Sequence, residues 1–267
     1  MARQDPAAYV ELSGMDNPRY LDCLASDYAR LRAVATIDLA GAVPTCPGWS
    51  VADLTRHVGE VYMHKTEAMR KGAEPDQWPP PGIENEEPIG LLDRSYAALV
   101  AEFGSRKPSD ACGTWYAPDQ TVGFWIRRMA QETVIHRIDA ELGAAQSVAP
   151  VPTDLAVDGI DELLKIFVAY SVANWSNDFK EILSSPRRTY AVQTDGGAWR
   201  LRTGDGTFSV EDGTSGDKAD VTISGSPTAV LRWVWNRESP GEPLEVRVDG
   251  PTEAVSELKR CIVTATQ

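Results

Sequence analysis

From Phe124 to Glu141 the chain runs through Trp125, Ile126, Met129, Ala130, Val134 and Ile138 at mostly three- and four-residue steps. No Gly or Pro interrupts it until Gly143. The pattern predicts one continuous amphipathic helix, and a helix of that length needs other helices to cover it. On it Glu132 and His136 stand four residues apart, so their side chains leave the same face one turn from each other. A carboxylate and an imidazole so placed can share one divalent cation, since zinc takes both ligand types at about 2.0–2.2 Å. Earlier, Leu54 to His64 reads as a second helix carrying His57 and His64. With three histidines in the whole chain, split between these two helices, a site assembled from both is a sharp expectation. The plainer reading is a solvated Glu–His pair worth a few tenths of a kcal/mol. Spacing alone leaves both open.

A chain of 267 residues, 42% hydrophobic and 24% charged, is long enough for one large or two ordinary domains with a proper core. No apolar run approaches the roughly 18 residues that span a bilayer, and Met1 to Pro6 does not resemble a secretory signal. A cytoplasmic protein without a membrane partner is expected. A net charge of −13 argues against nucleic acid, whose phosphates call for a basic face. Cys23, Cys46, Cys112 and Cys261 are scattered, which fits reduced thiols better than a disulfide framework or a structural zinc knot.

Residues 1–14 read as a loosely ordered lead-in. A helix is expected from Pro18 to Leu39, with Leu21, Leu24, Tyr28, Leu31 and Val34 on one side and Asn17-Pro18 at its start. Val43 to Trp49, with two prolines and a glycine, reads as a rigid connector. Ser50-x-x-Asp53 then resembles a capping box for a helix over Val51–Lys71. Pro75 to Gly82 is too proline-dense for a helix, and long loops of this kind are more often functional or mobile than idle. A third helix follows over Ile89–Gly104. With the helix described first, these make a four-helix bundle over residues 1–147. Val148 to Thr153 reads as a linker. Residues 148–267 read as a small α+β domain. It comprises a helix over Asp154–Val172, strands over Thr189–Gln193, Ala198–Thr203, Phe208–Glu211 and Asp220–Ser224, a helical stretch from Pro227 to Arg237, a strand over Leu244–Val248 and a closing helix over Thr252–Val263.

The compact chemical assembly is His57, Glu132 and His136, with water or substrate completing the shell. Three protein ligands and an open position suit a catalytic metal. Asp53 and Asp139, each one turn from a histidine, are candidates to take the second ring N–H of His57 and His136. His64, roughly 10 Å along the axis from His57, is expected to face substrate or solvent.

Pro44-Thr-Cys-Pro-Gly-Trp-Ser-Val-Ala-Asp-Leu-Thr-Arg-His57-Val-Gly and Thr121-Val-Gly-Phe-Trp-Ile-Arg-Arg-Met-Ala-Gln-Glu132-Thr-Val-Ile-His136-Arg-Ile-Asp-Ala-Glu141 resemble the mycothiol-dependent maleylpyruvate isomerase family, within the DinB-like superfamily. Asp154 to Asp161, Ala219 to Gly225 and Leu231 to Trp235 look like that family's carboxy-terminal domain, which is similar in fold to sterol carrier proteins. The resemblance implies a DinB-like bundle followed by a sterol-carrier-like domain, and a divalent metal, usually zinc, held by His57, Glu132 and His136. It also implies mycothiol as co-substrate, its sulfur held on the metal as a thiolate for attack on a small electrophile. The implied activity is an isomerase or S-transferase, as monomer or homodimer. Two alternatives stand beside it. One is a non-catalytic binding protein using the sterol-carrier-like domain. The other is a metal-dependent hydrolase with Glu60 or His64 as base. An anionic substrate would want an arginine, with Arg127, Arg128, Arg137, Arg232 and Arg237 as candidates, of which Arg128 and Arg137 read better as structural ion pairs. Trp115, Tyr116 and Trp125 are pocket-wall or core residues, and Cys46 reads as packing rather than as a ligand.

Overall fold

A computed structural model describes residues 15–75, 77–216, 218–238, 241 and 245–266. The expected lead-in over 1–14 lies outside them. Helix α1 (Asn17–Ala35) opens on Asp16, whose carboxylate accepts the Arg19 amide at 2.9 Å, with Pro18 in the first turn. It stops four residues before the expected Leu39. The Asp38 side chain accepts the amides of Ala40 and Gly41 at 3.0 and 3.1 Å, and that local turn displaces the helix.

Helix α2 (Val51–Lys71) begins with the reciprocal Ser50/Asp53 capping box and ends on Gly72, whose φ of 72° supplies the left-handed cap. Helix α3 (Pro88–Gly104) packs along α2, and α4 (Val122–Gly143) packs between α1 and α2. Together they form the four-helix arrangement. Tyr62 on α2 meets Thr133 on α4 at 2.6 Å, a buried hydroxyl pair that pins the α2–α4 seam.

One expectation is corrected here. Helix α4 is not amphipathic: 18 of its 22 residues are buried, on every side. Its charged groups are accommodated by pairing. Arg137, 1% exposed, donates to Asp27 at 3.0 Å and to Glu141 and the Ala149 carbonyl at 2.8 Å.

The second half begins with α5 (Thr153–Asp161), which continues as a π-helical stretch (Glu162–Ala169) into α6 (Tyr170–Asn174). The expected single helix over Asp154–Val172 is therefore one rod with a widened middle. A short 3₁₀ turn (Ser176–Phe179) and α7 (Lys180–Leu183) lead into a five-stranded sheet. Its strands are β1 (Arg188–Thr194), β2 (Gly197–Gly204), β3 (Thr207–Asp212), β4 (Val221–Gly225) and β5 (Val246–Asp249), in the order β3-β2-β1-β4-β5. Only β1 and β4 run parallel, and the chain passes between them through β2 and β3. The strands lie within two residues of their expected ends, and Leu244, the expected first residue of the last, is outside the described residues. Between β2 and β3, Asp205 and Gly206 take φ of 52° and 75°, the twin positive angles of a two-residue hairpin turn. In register, Val192 faces Trp199 and Ile223, all buried against the helices. Helices α8 (Pro227–Val234) and α9 (Thr252–Ala265) complete this α+β layer.

The two halves share a buried seam. Tyr20 donates to Asp158 at 2.7 Å, Arg127 pairs with Asp158 and Asp161, and Gln131 donates to Asp158 at 2.7 Å. Gly159 is needed there, because a Cβ would stand 2.5 Å from Gln131 Oε1 and 2.9 Å from a Leu231 methyl.

Candidate metal centre

His57 leaves the second turn of α2, while Glu132 and His136 leave the middle of α4 across the seam. Glu132 Oε1 lies 3.5 Å from His57 Nε2 and 3.2 Å from His136 Nε2. One ligand atom from each residue falls within 4.8 Å of the others. Two donors bound at about 2.1 Å with a tetrahedral angle stand about 3.4 Å apart. The two separations from Glu132 bracket that value, and the two imidazole nitrogens lie within 4.8 Å of each other, so nitrogen, nitrogen and carboxylate oxygen could converge on a small divalent cation. Side-chain exposure falls from 36% at His57 to 18% at Glu132 and 11% at His136. The fourth direction therefore opens on the His57 side.

Each member is oriented from behind. His136 Nδ1 lies 3.0 Å from Asp139 Oδ2, which leaves Nε2 free to face the cluster. Glu132 presents Oε1 to the histidines because Arg128 holds Oε2 at 2.7 Å. Arg128 is itself bonded to Glu162 on the π-helical stretch. His57 packs 5.0 Å from the Trp49 ring at the end of the connector. Asp53, expected to receive its ring N–H, is instead committed to the Ser50 cap, accepting the Ser50 amide at 2.8 Å. The helix start and the histidine compete for one carboxylate, and the cap wins.

Asp139 is the hub of the shell. It is fully buried and accepts Thr45 Oγ1 at 2.5 Å, Cys46 Sγ at 3.7 Å and both edges of the Arg237 guanidinium. Four donors explain why its carboxyl is lowered to about 2: burial pushes upward, but His136 and Arg237 outweigh it. Cys46, next to that carboxylate, is a thiol pushed up to about 11, first by burial and then by Asp139. It is packing, not a ligand in waiting. In the metal-free cluster His136 is raised to about 9. Burial opposes the charge, but Glu132 and Asp139 more than compensate. The Glu132 carboxyl is held well below its usual range, burial again being outweighed, here by His136, His57 and Arg128.

The remaining candidates sort themselves by contact. His64 neither faces the cluster nor lies free: its Nε2 is 2.9 Å from Glu74 and its ring packs edge-on to Trp78 at 4.7 Å. The long loop after α2 folds back over it. Arg127, Arg128, Arg137 and Arg237 are all paired with carboxylates, and Arg232 Nε donates to the Arg237 carbonyl at 3.0 Å. Trp125 is fully buried, whereas Trp115 and Tyr116 sit half-buried in an aromatic cluster with Phe124, Phe167 and Tyr170. Two cavities, of about 320 and 600 Å³, lie away from the cluster. One is beneath the proline-rich loop between α2 and α3, the other at the amino-terminal ends of α1 and α4. Arg128 was legible as a structural ion pair, its Glu132 partner lying one turn on, but the sequence carried no signal for Thr45 or Arg237 as supports of the site, because each reaches Asp139 from more than 90 positions away.

Fold and site together define a two-part protein in which a helical bundle carries a His–Glu–His cluster and an α+β layer buttresses it. Comparison with known proteins gives this class a family. The profile of the mycothiol maleylpyruvate isomerase N-terminal domain matches residues 21–141, and that of the family's C-terminal domain matches residues 154–257. The chain belongs to the mycothiol-dependent maleylpyruvate isomerase family, a family of enzymes. Among solved structures, the mycothiol-dependent maleylpyruvate isomerase superimposes with a TM-score of 0.58 at 14% identity, covering 88% of this chain and 93% of that one. A histidine-to-alanine variant of the same enzyme gives 0.59 at 14% identity with the same coverage. At that identity the superposition speaks for the fold. The search of curated proteins returned no match. Among the described residues, no helix is long and apolar enough to cross a membrane.

Proposed function

We propose that this chain is a metal-dependent thiol enzyme, an isomerase or S-transferase that uses mycothiol and a small electrophile, with His57, Glu132 and His136 as the ligands of one divalent cation, zinc being the best match to the donor set. The observation that carries the reading is the pair of donor separations, 3.2 and 3.5 Å, at the spacing a tetrahedral cation imposes. Family membership supplies the thiol.

When bound, the cation would hold a low-molecular-weight thiol as its thiolate at the open position. The chain's own groups do the rest. His136 is kept in the tautomer with a bare Nε2 by Asp139. Glu132 is kept from swinging away by Arg128. The opening beside His57 admits the thiol, while the buried flank at His136 keeps water from the opposite side. His64 is unsuited as the base of a hydrolase, since Glu74 and Trp78 hold it in the loop contact.

The test is metal content by plasma mass spectrometry on purified protein. About one equivalent of zinc in the wild type, lost in His57→Ala and His136→Ala, is expected. It would be followed by turnover of maleylpyruvate and related electrophiles with mycothiol. No bound metal after zinc is supplied would overturn the reading.

A further inference from the structure

Helices α2 and α3 run parallel: Gly59 faces Leu91 and Leu92, Met63 faces Arg94, and Arg70 faces Glu102. A parallel pair needs a connection that travels back the length of a helix, and residues 72–87 make that return over the α2–α3 groove. The return is tied down at both ends. Glu74 lies 2.9 Å from His64 Nε2 at one end. At the other, Arg56 of α2 donates to the Ile83 and Glu86 carbonyls, and Arg94 of α3 donates to the Glu86 carboxylate at 2.8 Å. At Gly59 the two helices touch, since a Cβ there would stand 3.0 Å from the Leu92 amide nitrogen. One turn on they part, and the cavity of about 320 Å³ lies between them and the span of loop from Pro75 to Pro80.

Met63, Pro75, Trp78, Pro80 and Ala98 give this cavity an apolar interior. Most of its polar groups are already engaged. Thr66 donates to the Tyr62 carbonyl at 2.8 Å, the ordinary fate of a helical hydroxyl. Arg70 is held by Glu102 at 2.9 Å, while Glu67 and Glu86 are held by Arg70 and Arg94. Two donors of the wall are left over among the described residues. Ser95 is 1% exposed, and its Oγ has no hydrogen-bond partner. Lys71, exposed at the rim, makes no hydrogen bond or ion pair. A buried hydroxyl without a partner is unfavourable, and this one belongs to the wall of a space large enough for a small molecule. Apolar walls with a few unmatched polar groups are the usual make-up of a small-molecule site.

We propose that the cavity under the α2–α3 loop is a second ligand site, taking a small amphipathic anion. Its planar apolar body lies among Met63, Trp78 and the loop prolines. Its anionic head accepts the Ser95 hydroxyl, with the Lys71 ammonium at the mouth supplying the opposite charge. The site is separate from the His57–Glu132–His136 cluster: its α2 wall, from Met63 to Lys71, lies roughly 9–21 Å beyond His57 along the helix axis. A molecule held here is bound as an effector and is not turned over. The inference does not rest on the metal-thiol reading.

The experiment is an NMR titration of the full chain with benzoate, which no thiol attacks, and with neutral benzamide. It is run on wild type, Ser95→Ala, Ser95→Leu, Lys71→Met and His57→Ala. Wild type should bind benzoate in preference to benzamide. Ser95→Ala should weaken benzoate about 3- to 10-fold, the loss of one hydrogen bond, while raising the thermal midpoint because an unmet buried hydroxyl is gone. Ser95→Leu, whose side chain takes up the space, should abolish binding. Lys71→Met should remove most of the preference over benzamide, and His57→Ala should bind as wild type does. Benzoate binding unchanged in either folded Ser95 variant, or lost in His57→Ala, would put the ligand elsewhere and overturn the proposal. No benzoate binding by wild type at millimolar concentration would overturn it too, leaving a space that holds solvent only. A chain found to hold no zinc would sink the metal reading by itself and leave each of these outcomes to be read as stated.

Discussion

Arg237 closes on Asp139 with both edges of its guanidinium, Nε 2.9 Å from Oδ1 and Nη2 3.0 Å from Oδ2, while the same carboxylate lies 3.0 Å from His136 Nδ1. A residue of the α+β half thus fixes the orientation of an imidazole in the bundle. Arg237→Met should leave the bundle folded yet weaken zinc binding by about 10- to 100-fold, the usual range for loss of a group that supports a ligand. Chelator competition measures it. Unchanged affinity would mean that Thr45 and the helix suffice to hold Asp139.

Zinc affinity should depend steeply on pH. In the metal-free protein His136 is raised to about 9 from an ordinary value near 6.5, so its protonated form stabilises the metal-free fold. That contribution is fully present below about pH 6.5 and is lost as pH rises through about 9. The cation needs the bare nitrogen, so the apparent dissociation constant should fall about tenfold per pH unit over this window. Thermal midpoints of metal-free protein should fall over the same range. A flat affinity between pH 7 and 9 would contradict the assignment of His136 as a ligand.

Arg137→Met should cost about 3–5 kcal/mol of stability, because it strands Asp27 in the interior without its counter-ion and leaves Glu141 to Arg30 alone. Urea unfolding reads it. A cost below about 1 kcal/mol would mean that those carboxylates take up protons or water instead.

Gly41→Ala should destabilise by about 1–3 kcal/mol. Its Cβ would run into the Gly143 carbonyl, which is backbone and cannot rotate away. The connector between α1 and α2 would have to shift, and with it Thr45, a donor to Asp139. A drop in zinc affinity should therefore accompany the drop in stability. An alanine variant of wild-type stability would show that the connector has slack.

Much of this was legible in the sequence where a local rule decides. Both ends of α2 follow from Ser50/Asp53 and Gly72, and the juxtaposition of His57 with Glu132 and His136 follows from their spacing on two helices that must pack. What escaped was decided by partners far along the chain. Asp53 looked available to His57, but the helix start claimed it. The polar residues of α4 suggested a solvent-facing side, yet Asp27, Glu141 and Glu162 bury that side as ion pairs. Arg237 stands 98 positions after Asp139, and no periodicity announces such a contact.

The Asp139–Arg237 clamp also has a consequence in time. During synthesis the bundle emerges with both histidines and Glu132 already in the chain, while the arginine that steadies His136 is still 98 residues from being made past Asp139. At translation rates of about 5–20 residues per second that is a delay of roughly 5–20 s. On the proposed metal reading, the nascent site would for that interval exchange cations with an unsupported imidazole. Arrival of the second half would then end the exchange, so the ion retained would be the one present when the last third of the chain folds.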